Sequence, residues 1–106
     1  MADLTLKAKD KGKYITFTCL NADSSAKDLT GLTVTAKWWQ EGIPDPPVVS
    51  GVCTAVGLPS AGICQYLLTG TDFTQAEFLM LELQYSVNGT LIDSSKTYTT
   101  QVLESP

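Results

Sequence analysis

The 106-residue chain contains no histidine and no arginine. Without histidine it lacks the side chain that most often moves protons near neutral pH and most often ligates zinc. Ser-His-Asp, Cys-His and histidine-based metal chemistry are therefore closed to it. Without arginine, no planar fork can clamp a phosphate or carboxylate at two points. Seven lysines stand against eleven acids, for a net charge of −4, so the balance argues against a nucleic-acid partner. No run approaches the ~20 apolar residues of a membrane helix, and no membrane partner is expected. The opening residues, Met1 to Lys7, have no apolar signal core. These absences predict a soluble protein made in a cytoplasm. Cys19, Cys53 and Cys64 are an odd number and fall in no CxxC pattern, which favours buried reduced thiols. A Cys53–Cys64 bridge is the alternative.

What is present is alternation. In Phe78–Val87 the apolar residues Leu79, Leu81, Leu83, Tyr85 and Val87 share one side of an extended strand. Asn88-Gly89 follows, the pair a tight type I′ hairpin turn demands, and then a β-prone run from Thr90 to Leu103. Further strands are predicted at Asp3–Lys7, Tyr14–Leu20, Leu32–Trp39, Val48–Val56 and Ile63–Leu68, with Gly51 read as a bulge. Residues 21–31, the proline-rich 40–47 and residues 57–62 are loops or turns. Thr71–Glu77 has room for one helical turn capped by Thr71 or Asp72. About seven short strands with regular turn signals predict a single all-β domain over residues 1–106, an immunoglobulin-like antiparallel β-sandwich. A small closed barrel is the second choice. The expected core includes Ile15, Phe17, Val34, Trp38, Tyr66, Leu81 and Leu83.

The residues left over define the candidate surface. Trp38 and Trp39 are adjacent, so a strand sends them to opposite faces. Trp38 is in phase with the core, which leaves Trp39 outward beside Pro44, Pro46 and Pro47. Phe78 and Met80 lie opposite the leucine face of their strand. Exposed tryptophan and phenylalanine are interface anchors, and these groups are the partner-interface candidates. Lys7, Lys9, Lys11 and Lys13 would form one row in an extended chain. That row is either a solvated edge that blocks strand pairing or a contact for an acidic protein. The acid pairs Asp23/Asp28 and Asp72/Glu77 belong to no calcium or glycosidase motif. No catalytic residue, metal or cofactor is expected.

Short motifs also carry a resemblance. Asp28-Leu-Thr-Gly31 enters a strand; Gly62-Ile-Cys-Gln-Tyr66, Leu68-Thr-Gly-Thr-Asp72-Phe73, Asn88-Gly89 and Val102-Leu-Glu-Ser105 follow in order. Over about residues 14–105 this resembles the immunoglobulin-like N-terminal domain of tailed-phage upper baseplate proteins and related virion modules. The resemblance implies a non-enzymatic virion protein: a head decoration, connector or baseplate component. Its partners would be capsid, connector or tail proteins, and it would assemble as a homo-oligomer or symmetric array. The alternative is a carbohydrate-binding or host-surface adhesion module, with Trp39 as a stacking platform.

Overall fold

The computed structural model describes residues 3–9, 11–21, 23–43, 47–70 and 72–104. Eight strands run in the order β1 (Leu4–Lys7), β2 (Lys11–Thr18), β3 (Thr33–Gln40), β4 (Val49–Ala55), β5 (Ile63–Thr69), β6 (Glu77–Val87), β7 (Thr90–Ser94) and β8 (Tyr98–Leu103). A short 3₁₀ turn at Pro59–Ala61 precedes β5. The chain is thus nearly all β, as the alternation predicts. Paired strands follow the order β1-β8-β6-β3-β4-β5-β2, with β7 added to β6. The sheet is curled into a half-barrel. All pairs are antiparallel except β1 with β8, which run parallel.

The curl is made at β4. Its first part, Val49–Cys53, pairs with β3, while Thr54 and Ala55 pair with β5. Gly51 is not a bulge: it sits in regular register opposite Ala36. Its role is steric. A Cβ at Gly51 would lie 2.4 Å from Cε1 of Tyr66, so the missing side chain lets the β5 ring lie against the β4 backbone.

Trp38 on β3 is fully buried at the centre. Phe73 meets it edge-on at 5.0 Å between centroids, Tyr66 lies at 5.4 Å and Phe17 at 6.4 Å. Rings from β2, β5 and the segment before β6 therefore converge on β3, where tilted and edge-on pairs suit the aromatic quadrupole. The indole N–H donates to Thr100 Oγ1 at 3.1 Å, which satisfies both buried groups. Each expected core residue lies in this cluster, with Phe17 half-buried at its margin. Cys19, Cys53 and Cys64 are buried free thiols, with Cys19 and Cys64 sulfurs 3.6 Å apart.

Three local expectations are corrected. The run Thr90–Leu103 is two strands, because Ser95 leaves the ladder: its N–H bonds to Leu83 O, and its hydroxyl accepts from Leu83 N–H. No helical turn forms over the described residues 72–76. The Asp72 carboxylate faces backwards instead, accepting from the N–H (2.7 Å) and hydroxyl (2.9 Å) of Thr69 and from the Tyr66 hydroxyl. Thr71, the other candidate cap, lies outside the described residues. Finally, the lysines form no single extended row. Lys7 ends β1, Lys9 occupies a turn at φ 64°, and the register slips between Lys11 and Tyr14 in β2. The turn is pinned by Ala8 N–H to Leu103 O and Lys9 N–H to Phe73 O.

Candidate interaction surfaces

The antiparallel register of β3 with β6 sets Trp39 directly opposite Met80. Met80 in turn faces Thr99 on β8, and Phe78 faces Gln101. Because alternate residues share a face, Trp39, Met80 and Phe78 lie together on the outer side of β3–β6–β8. Groups far apart in sequence thus become one apolar surface. Phe78 is 49% exposed, while Trp39 and Met80 are half-buried. The Lys37 ammonium stands 5.9 Å from the Trp39 ring, and the register sets Lys37 opposite Glu82. The surface is therefore an apolar centre with a polar rim, the anatomy of a protein contact.

The other candidate residues are more scattered. Pro47 is half-buried at the approach to β4, where the following Val48 N–H bonds to Trp38 O at 2.8 Å. Pro44 and Pro46 lie outside the described residues. The four lysines are exposed and gather around the turn between β1 and β2, away from any common strand face.

The acids serve the loops that hold them. Asp28 accepts from the Thr30 N–H at 2.9 Å and hydroxyl at 2.6 Å; Asp23 does the same for Ser25. These bonds, led by the hydroxyl donors, hold both carboxyls below the usual aspartate range. Burial pushes Asp72 up, but the Thr69 N–H and the Tyr66 hydroxyl outweigh it, and the net shift is downward. Asp93 is lowered by the Ser94 N–H and by Lys27, whose ammonium lies at 3.2 Å. Such bonds are turn chemistry, in which short acids satisfy neighbouring backbone groups. Among the described residues, no group of three or more Cys, Asp or Glu is placed to hold a metal ion.

The thiols form a row from Cys53 on β4 through Cys64 on β5 to Cys19, the residue that follows β2. The hydrogen bond with Cys64, then burial, raise the Cys19 thiol. At Cys64 the Cys19 contact pulls down, while the Cys53 hydrogen bond and burial pull up; the result is about 12. The hydrogen bond with Cys64 lowers the Cys53 thiol. A cleft of about 340 Å³ opens between β2 and the β1–β8 edge. Leu4, Phe17, Leu81, Leu83 and Tyr98 line it. At its mouth Asp3 is engaged by the Thr99 N–H at 2.9 Å.

Sequence reasoning missed a second surface. Tyr14 on β2 pairs with Leu67 on β5, and both point outward. Val52 on β4 is outward and 65% exposed. Tyr14 and Leu67 were each visible as outward positions, but only the register puts those two side by side. No protein-family model matches the chain, and no curated protein matches it.

Proposed function

We propose that this chain is a non-enzymatic structural or accessory protein of a phage virion, working through protein–protein contacts as a head decoration, connector or baseplate component. The observation that carries the contact half of this reading is the Trp39–Met80–Phe78 surface. On one outward face, the indole and phenyl rings offer large apolar area with few rotors to freeze, and the flexible thioether between them can adapt to a partner.

The virion half rests on the order of the motifs. Their residues hold the fold together. Asp28 closes its turn, and Tyr66 donates to Asp72, joining two motifs. Gly62 allows an approach in which a Cβ would lie 2.8 Å from Cys19 O. Phe73 packs on Trp38. The resemblance therefore speaks first to architecture, and an immunoglobulin-like sandwich is the finer fold we infer. It is supported by β2 and β5 facing β3 across Trp38, and by β1 lying parallel beside β8. A small domain of this kind contributes contacts repeated by particle symmetry, where many weak sites add up.

Co-sedimentation with purified phage heads, and separately with tails, tests the reading. Pelleting with one class of particle at a fixed stoichiometry is the expected result. A protein that stays in the supernatant with both classes would sink the proposal.

A further inference from the structure

Two thiols that stand 45 positions apart in sequence meet in the fold. Cys19 follows β2, and Cys64 lies in β5. Their sulfurs are 3.6 Å apart, and both residues are buried, at 1% and 0% exposure. The register accounts for the contact. Phe17 pairs with Cys64 and Thr18 with Ile63, and the ladder runs on through Cys19 N–H to Gly62 O at 2.7 Å. Cys19 and Cys64 are therefore diagonal neighbours on the inner face, two positions off a direct pair. Gly62, directly opposite Cys19, brings no side chain to part them.

Cys53 is placed differently. β4 pairs with β5 at Thr54 and Ala55. At Cys53 the pairing is with β3 instead, where its partner is Val34. The β4–β5 ladder thus stops short of Cys53, whereas the β2–β5 bonds continue through Cys19.

We propose that Cys19 and Cys64 close into a disulfide when the chain folds in an oxidising medium, with Cys53 left as the free thiol. The sulfurs must close from 3.6 Å to about 2.05 Å, a shift of about 0.8 Å at each. The oxidant is a small disulfide such as oxidised glutathione. One protein thiol loses its proton to solvent, and its thiolate attacks the small disulfide. A mixed disulfide forms and one glutathione thiolate leaves. The second protein thiolate then attacks the protein sulfur of that mixed disulfide, which forms the Cys19–Cys64 bond and expels the second glutathione. Both glutathione thiolates take up protons. Two cysteine thiols are thus oxidised, and one small disulfide is reduced to two thiols. Burial shields both sulfurs once the fold is complete, so exchange starts in a chain that is still folding or in which β2 has opened.

The bond would fasten the strand that most needs it. β2 is the last strand in the sheet order, and β5 is its neighbour there. An end strand held by one ladder opens more readily than a central one. A link at the end of β2 removes that freedom and also restrains the unfolded chain across the 45 intervening positions. In a reducing compartment the pair stays as thiols; in an oxidising one β2 is locked to β5.

The test refolds the full chain from denaturant, once with dithiothreitol and once with a mixture of oxidised and reduced glutathione. Circular dichroism checks that both products are folded. Remaining thiols are then alkylated under denaturing conditions, and unreduced peptides are mapped by mass spectrometry. The expected result is a Cys19–Cys64 linkage with Cys53 alkylated. The oxidised form should melt at least about 5 °C above the dithiothreitol form. Cys53→Ala should keep both the linkage and the shift, whereas Cys64→Ala should lose both. A folded wild type in which Cys53 is the linked partner would overturn the proposal. So would one in which all three cysteines are alkylated or carry glutathione, or a linked form that melts no higher than the reduced one.

Discussion

Trp39 on β3 is the direct cross-strand neighbour of Met80 on β6. Its predecessor Trp38 faces the other way and is fully buried. One peptide bond thus separates the centre of the core from the centre of the candidate contact surface. The two tryptophans should respond oppositely to substitution. Trp38→Ala should cost about 3–5 kcal/mol or prevent folding, while Trp39→Ala should cost no more than about 1–2 kcal/mol. Urea unfolding followed by far-ultraviolet circular dichroism separates them. Equal costs would mean that the face assignment is wrong.

The bond from Trp38 to Thr100 gives a second prediction. Thr100→Val keeps the shape but removes the acceptor for a buried indole N–H. It should destabilise by about 1–3 kcal/mol. Thr100→Ser keeps the hydroxyl and should recover a measurable part of the loss. If valine and serine behave alike in urea unfolding, the hydrogen bond contributes nothing.

Gly51 tests how the sheet curls. Gly51→Ala places a methyl group 2.4 Å from the Tyr66 ring and should cost about 1–3 kcal/mol through overpacking. The smaller side chain of Tyr66→Leu should relieve that clash. In a double-mutant cycle, Gly51→Ala should therefore cost less in the Tyr66→Leu background than with Tyr66 intact. Additive costs would contradict the contact.

The buried thiols predict an alkaline limit. A Cys64 thiol raised from 9.0 to about 12 favours the neutral form in the folded state. The stabilisation is complete below pH 9, the unfolded value, and is lost as pH rises toward about 12. Stability measured between pH 8 and about 11 should fall, and Cys64→Ala should flatten that fall. Native protein should also react slowly with a thiol reagent until it unfolds. Rapid labelling of all three cysteines at neutral pH would contradict their burial.

The residues that were legible in the sequence were those governed by period two. Leu79, Leu81, Leu83 and Tyr85 face inward as read, and Asn88-Gly89 makes the turn with φ of 50° and 81°. Trp38 inward and Trp39 outward also followed, from their adjacency and from the phase Trp38 shares with Val34 and Ala36. Relations between strands were not legible. Nothing local says that Met80 meets Trp39 or that Leu67 meets Tyr14, because register is fixed by the whole sheet. The same blindness hid the split of Thr90–Leu103, which depends on Ser95 reaching Leu83. The capping signal at Asp72 misled because its carboxylate binds backwards to Thr69 and Tyr66. Gly51 read as a bulge because the ring it accommodates lies on another strand.

We propose the Trp39–Met80–Phe78 surface as the contact through which the protein would join a phage particle. The most direct measurement is a binding titration onto the particle class that retains the wild type, run with Trp39→Ala and Phe78→Ala after circular dichroism has shown both to be folded. At least one variant should lose about 5- to 150-fold in affinity, equivalent to about 1–3 kcal/mol. Wild-type occupancy by both folded variants would contradict it.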